Sequence, residues 1–166
     1  MAEKDKVYKG KLKQTGIFNF RDFYEFLYTY LEDENYDIFE DKYSEKLKGD
    51  SKDIEIKWTA TKEVSDYFKF EITAYWIVLG LKKVKVKRNG DEIIMDSGTI
   101  DIKFEAVLVK DWENRWESHP FWKFLRGMYD RYIIKTRSDV SAVKLFKAIK
   151  EIISQSESFL AIEGKS

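Results

Sequence analysis

The sequence predicts an α+β fold, a curved antiparallel sheet of five to seven strands covered by one N-terminal and two C-terminal helices. Alternating apolar and polar residues fill most of residues 36–108, a pattern typical of strands with one dry face. Apolar residues at helical spacing precede this region and follow it. We interpret residues 1–166 as a single domain, because this length fits one core and no linker divides it.

The N-terminal part predicts a strand and then a helix. Val7–Lys13 has the pattern of a short first strand, which Thr15-Gly16 would end. Asn19 is a good N-cap residue, and Asp22 stands at the third helical position. Aromatic residues then follow at helical spacing, so we predict a helix over about 20–34 whose wide apolar stripe faces the core.

The middle of the chain predicts the sheet. Tyr36–Leu47 alternates imperfectly, as expected of an edge strand, and Lys48–Ser51 has turn composition. Residues 53–60 and 67–78 alternate cleanly and predict an antiparallel pair. Gly80 is a candidate for a bend or bulge.

A hairpin completes the predicted sheet. Asn89-Gly90 is the strongest hairpin signal, because both residues tolerate positive φ. It would join Lys82–Arg88 to a return strand at Glu92–Met95. We predict another turn at Asp96–Gly98 and a last strand at Ile100–Leu108.

The C-terminal part predicts two helices. Pro120 suits a first turn, and this helix would continue to about residue 135. Ser138 or Asp139 would begin a second helix that ends near residue 160. Its stripe is formed by Ala142, Leu145, Ile149, Ile152, Ile153 and Phe159.

The junction Asp111–Trp122 holds three of the five tryptophans, the only histidine and the only proline. It is the candidate interaction surface, since its tryptophans and Arg115 are the residue types that dominate binding hot spots. The alternative is a closed corner in which the indole rings are buried and Glu113 or Asp111 neutralises Arg115. The candidate surface residues are Trp112, Arg115, Trp116 and Trp122.

Charge is balanced overall and uneven locally. The chain has 30 basic and 30 acidic residues, which disfavours a uniformly basic nucleic-acid binder. Residues 15–46 carry nine acids and three bases, whereas residues 120–150 carry eight bases and two acids. These regions are either solvated helix faces or surfaces that pair within one chain or between copies.

A basic patch lies on one predicted strand. It is either a phosphate-binding surface or a sheet edge whose charges discourage pairing with another sheet. We favour the edge. The patch residues are Lys82, Lys83, Lys85, Lys87 and Arg88.

The sequence contains few features that indicate catalysis or metal binding. His119 is the single histidine and cysteine is absent, so a His- or Cys-rich metal site is excluded. Glu113, Glu117 and His119 lack a known ligand spacing, and no nucleophile elbow or phosphate-binding glycine motif is present. Glu71 and Glu105 are the acids with most apolar surroundings, on strand faces that we predict to be exposed. We therefore lean against an enzyme, and we expect no cofactor.

Two resemblances extend this interpretation. The segments Asn19–Phe26 and His119–Asp130 resemble uncharacterised small archaeal proteins, a family with no assigned activity, so the resemblance implies none. The order of elements is similar to that of helix-grip folds, in which a sheet wraps a long C-terminal helix and can enclose a cavity. Fold alone does not determine function.

Three hypotheses follow for function. The first is a non-enzymatic structural or protein-interaction protein that self-associates or binds another protein. The second is a carrier of a small apolar ligand, with a cavity between the sheet and the C-terminal helices. The third is a nucleic-acid binder acting through the basic C-terminal helices. We expect a cytoplasmic protein, since no apolar segment is long enough to span a membrane and cysteine is absent.

Overall fold

A computed structural model describes residues 3–110 and 135–164, together with Phe121, Phe124 and Met128. One antiparallel sheet has the strand order β1-β5-β4-β3-β2. Two helices accompany it in the described ranges. The strands are β1 (Glu3–Phe18), β2 (Asp37–Lys48), β3 (Ser51–Glu63), β4 (Phe68–Arg88) and β5 (Asp91–Lys110), and the helices are α1 (Phe20–Asp33) and α2 (Lys135–Gly164).

The topology explains why α1 covers the sheet. β1 and β2 form opposite edges, so the connection between them carries α1 across one face, which we call the inner face. β2 to β5 then return as a meander until β5 pairs with β1. The first and last strands are thus neighbours, and α2 also packs against β1, β5 and β4.

The core lies between the inner face and the helices. Trp58 of β3 and Trp76 of β4 are fully buried, with ring centroids 5.0 Å apart. Phe23 of α1 packs on Trp76, and Phe159 of α2 lies against Phe23 at 5.8 Å. Strict alternation on the central strands supplies most of this core, because successive strand residues point to opposite faces. The buried inner-face residues include Ile54, Ile56, Phe70, Ile72, Ile100, Ile102 and Phe104.

The predicted first helix is confirmed together with its cap. Asn19 has extended backbone angles, and its side chain accepts a hydrogen bond of 3.1 Å from the Asp22 N–H. This bond satisfies one of the free donors of the first turn. The helix ends at Asp33, one residue before the predicted end.

Two predicted turns are wrong. Thr15-Gly16 lies inside β1 and Asp96–Gly98 lies inside β5, where Gly16 pairs with Gly98. Gly98 meets a packing requirement instead. A Cβ atom at this position would lie 3.0 Å from the backbone oxygen of Leu79, so a larger residue would require the neighbouring bulge to shift by a few tenths of an ångström.

The bulge predicted at Gly80 is confirmed. The β4–β5 register shifts between Leu79 and Lys82, and Gly80 adopts φ +63°. Asp53 Oδ1 accepts a hydrogen bond of 2.9 Å from the Gly80 N–H, which fixes the bulge to β3. Beyond it, β4 pairs with β5 alone, and β1 pairs with β5 only from Asp96 onward. Residues 84–95 therefore form a two-stranded ribbon.

The structure confirms the α+β class and the antiparallel sheet, which has five strands, and residues 3–110 and 135–164 contain two helices. The predicted helix over 120–135 lies mostly outside the described residues, although Phe121, Phe124 and Met128 are helical. The predicted start of the last helix at Ser138 or Asp139 is wrong. α2 already includes Lys135, and Ser138 is a buried residue within it.

Candidate functional site

The predicted interaction surface lies outside the described residues. This holds for Trp112, Arg115, Trp116 and Trp122, and equally for Glu113, Glu117 and His119. Their roles remain predictions.

The predicted basic patch lies on the β4–β5 ribbon, where acids of β5 partly compensate it. Lys83 Nζ lies 2.8 Å from Asp96 Oδ1, and Lys85 Nζ lies 3.6 Å from Glu92 Oε1. Arg88 stands opposite Asp91 in the register. Because this segment pairs on one side only and carries its own counter-charges, it fits the sheet-edge interpretation better than a phosphate surface.

A groove of about 600 Å³ opens at one end of the sheet. This end is opposite to the one at which β5 finishes at Lys110. The groove lies between the first turns of α1, the β2–β3 hairpin and the bulged part of β4. The strand register and the placement of α1 bring these distant parts together. The lining residues on which the argument depends are Phe20, Tyr24, Tyr43, Leu47, Leu81 and Lys82.

The α1 wall of the groove is aromatic and rests directly on the core. Tyr24 packs edge-to-face on Trp58 with centroids 5.0 Å apart, and Phe20 does the same on Trp76 at 6.2 Å. Both tryptophans are fully buried. The wall is therefore held in place before any ligand arrives, which lowers the ordering cost of binding.

The opposite wall presents apolar surface to solvent. Leu47 is 78 % exposed and Tyr43 is 48 % exposed, although both belong to the inner face of β2. Leu81, beyond the Gly80 bulge, is buried in the floor. Solvent-exposed apolar side chains that face a concave space are typical of a ligand site.

A buried carboxylate anchors the end of the groove. Asp96 is 3 % exposed, and its Oδ2 accepts a hydrogen bond of 2.9 Å from the Phe20 N–H. Its Oδ1 forms the ion pair with Lys83 described above. The negative charge thus lies at the positive end of the α1 dipole, and it fixes the helix to the ribbon.

The phenols of the groove are hydrogen-bond donors to carboxylates. Tyr24 donates to Glu40 at 2.9 Å, and Tyr43 donates to Glu45 at 2.8 Å. Burial and, after it, the bond to Glu40 raise the pKa of Tyr24 to about 12. Burial and the bond to Glu45 likewise raise the pKa of Tyr43 to about 12. Both phenols therefore stay protonated at neutral pH.

Two indole groups behind the wall are incompletely satisfied. Trp76 Nε1 is buried without a hydrogen-bond partner within the described ranges. Trp58 Nε1 also lacks a bond of ordinary geometry there, although it is close enough to the Tyr24 hydroxyl to lower the pKa of that group. An unmade hydrogen bond of a buried donor costs about 1–3 kcal/mol.

A second, smaller space of about 430 Å³ lies between the end of α1, β3, β4 and α2. Tyr36 and Phe70 line it, with charged side chains from Glu34, Lys62 and Lys144. Burial raises the pKa of Tyr36 above its ordinary range. This space is more polar than the groove and offers less exposed apolar surface.

The acids considered for chemistry lie on the outer face, as predicted. Glu71 pairs with Lys4 at 3.6 Å and Glu105 with Lys6 at 3.5 Å. Within the part of the chain that the structure describes, no cluster of three or more His, Cys, Asp or Glu side chains could hold a metal ion. No described helix combines the length and apolar character needed to cross a membrane.

Comparison with known proteins gives no relative. No protein-family model, no curated protein and no solved structure matches this chain. The groove was not predictable as a site, because Phe20 and Tyr24 follow the spacing of core residues. The imperfect alternation of Tyr36–Leu47 was the only local signal, since it leaves Tyr43 and Leu47 exposed.

Proposed function

We propose that the protein is a non-enzymatic binding protein, and that its groove holds a small molecule with an apolar body and one anionic group. The observation that carries the proposal is the preformed space of about 600 Å³ between the Tyr24 wall and exposed Leu47. Sites for small ligands are concave, mainly apolar and of this volume.

The apolar body is inferred from the walls. Phe20, Tyr24 and Leu47 present rings and methyl groups to the space, and Leu81 forms its floor. A planar or aliphatic group of the ligand would displace water from these surfaces, at about 25 cal/mol per Å² of apolar area buried.

The anionic group is inferred from a lysine of the groove that has no ion-pair partner among the described residues. Of the four basic residues that line the groove, Arg21 pairs with Glu25, Lys52 with Glu45 and Lys83 with Asp96. Lys82 is exposed and has no ion-pair partner among the described residues. An anionic group beside Lys82 would give its ammonium group a charge-assisted hydrogen-bond partner, in a groove that Glu40 and Asp50 also line.

Binding explains the groove better than catalysis does. A phenol that acts as a base or nucleophile needs a pKa near the working pH, whereas those of Tyr24 and Tyr43 are raised to about 12. Neutral phenols fixed by carboxylates serve instead to shape the site.

The proposal changes the location of the ligand cavity predicted from element order. That prediction placed it between the sheet and the C-terminal helices. There Trp58, Trp76 and Phe104 are buried, and the space of about 430 Å³ beside α2 is more polar than the groove. The similarity to helix-grip folds rests on the order of elements alone and remains a prediction. A cytoplasmic location also remains a proposal.

The test uses 1-anilinonaphthalene-8-sulfonate, a fluorescent probe with an aromatic body and a sulfonate. We expect the wild type to bind it with enhanced fluorescence, and Leu47→Glu to weaken binding by about tenfold, because a carboxylate would enter the apolar wall. The 78 % exposure of Leu47 means that the folded state should tolerate this change.

The matched control is Ile94→Glu. Ile94 is 62 % exposed and lies on the ribbon, outside the residues that line the groove. It should leave probe affinity unchanged, and both variants should unfold thermally like the wild type. The proposal fails if the wild type does not bind the probe, or if the two variants bind it equally.

A further inference from the structure

A row of lysines crosses the outer face of the sheet. Lys11 stands opposite Lys103, Lys103 opposite Tyr75, Tyr75 opposite Lys57, and Lys57 opposite Lys42. The row therefore includes one residue from each of the five strands. We call the four exposed lysines, Lys11, Lys42, Lys57 and Lys103, the lysine row.

This arrangement is unfavourable for an isolated chain. Like charges directly opposite each other on neighbouring strands destabilise a sheet, and the row contains two such pairs. Lys11 is paired with Asp101 at 3.1 Å and Lys42 with Glu55 at 2.8 Å. Within the described ranges Lys57 and Lys103 have no ion-pair partner. The acids that flank them on the outer face are Glu55, Asp101 and Glu105, and each of these pairs with another lysine.

A complementary acidic stripe follows the solvent face of α1. Asp22, Glu25, Glu32 and Asp33 are exposed along it, and Glu34 follows at the C-cap. Only Glu25 has an ion-pair partner, Arg21, among the described residues. The last turn carries acids and no base, although the C-terminal end of a helix dipole favours cations.

The two features match in length. Asp33 follows Asp22 by eleven positions, which is about 17 Å along a helix. Four strand spacings separate Lys11 from Lys42, which is about 19 Å across a sheet.

They cannot meet within one chain. Phe23 and Leu27 bury α1 against the inner face, whereas the lysine row lies on the outer face, so the sheet stands between them. We propose that the protein associates with itself head to tail, with the acidic stripe of one copy lying along the lysine row of the next. Such a contact is heterologous, so it extends into open chains or closes into rings.

A nucleic acid would match the lysine row but would leave the acidic stripe without a role. A second copy accounts for both surfaces. None of the four lysines of the row lines the groove, whereas Glu25 of the stripe does. Glu32 and Asp33 do not line it, so changes at these two residues test the contact separately from the groove.

The test is charge reversal, measured by sedimentation velocity at about 0.05 M and about 0.5 M salt, where screening differs strongly. The row-reversed variant carries Lys57→Glu and Lys103→Glu. The stripe-reversed variant carries Glu32→Lys and Asp33→Lys, changes that suit the end of a helix.

We expect the wild type to associate in a concentration-dependent way at low salt. Its association constant should be at least about tenfold lower at high salt. Each variant alone should remain monomeric.

A mixture of the two charge-reversed variants tests the proposal most directly. Equimolar row-reversed and stripe-reversed proteins should associate at low salt, because each then offers the charge that the other lacks. A control with Lys87→Glu and Lys147→Glu changes the same net charge away from the row and should associate like the wild type.

Circular dichroism and thermal unfolding establish that each variant is folded. A wild type that stays monomeric at low salt overturns the proposal, as does association of the row-reversed variant at wild-type strength. A mixture that remains monomeric also overturns it. Retention of a single-stranded oligonucleotide by a monomeric wild type, lost in the row-reversed variant, would assign the row to a polyanion instead.

Discussion

At the scale of residues, the ionisation of the two groove phenols should affect the stability of the folded protein. Tyr24 and Tyr43 are neutral donors to Glu40 and Glu45, and their pKa values of about 12 exceed the ordinary value of about 10. A raised pKa of an acid means that the folded state favours the protonated form. The stabilising contribution is therefore complete below about pH 10 and is lost as the pH rises through about 12.

This predicts a specific loss of stability at alkaline pH. From about pH 9 to about pH 11.5, the free energy of unfolding of the wild type should fall more than that of Tyr24→Phe, which cannot ionise there. Urea unfolding at both pH values measures the difference. Identical falls in the two proteins would show that Tyr24 is not the group responsible.

At the scale of elements, the bulge in β4 shapes the groove. The extra residue there changes the register before Lys82, so that Leu81 faces the floor while Lys83 reaches Asp96. Gly80 has φ +63°, and no atom would contact an added Cβ. Any effect of substitution must therefore come from the backbone conformation.

We expect Gly80→Ala to lower the free energy of unfolding by about 1 kcal/mol, because alanine disfavours left-handed backbone angles. Gly80→Asn should cost less, since asparagine tolerates this region. Chemical denaturation of the three proteins checks the order. Equal stability of all three would mean that the bulge relaxes on substitution.

Local signals at this scale predicted much of the fold. The cap at Asn19, the hairpin at Asn89-Gly90 and the edge position of β2 all follow from residue chemistry. The turns predicted at Gly16 and Gly98 failed because these glycines pair across two strands. Composition cannot distinguish a glycine that turns the chain from one that allows close packing.

At the scale of the whole molecule, the groove depends on contacts that no local pattern shows. Phe20, Leu47 and Lys82 are distant in sequence, and only the sheet order and the path of α1 bring them together. Asp96 looked like a turn residue, yet it is buried at the start of α1. The same sheet separates the acidic stripe, which belongs to the acidic segment 15–46, from the lysine row. The basic segment 120–150 contributes nothing to the row and lies partly outside the described residues.

The most direct measurement of the central claim is amide NMR during titration with 1-anilinonaphthalene-8-sulfonate. We predict chemical-shift changes concentrated at Phe20, Tyr24, Leu47 and Lys82, with the outer-face amides of Lys57 and Tyr75 unaffected. Changes concentrated on the outer face, or spread evenly over the sheet, would contradict the assignment of the groove as the ligand site.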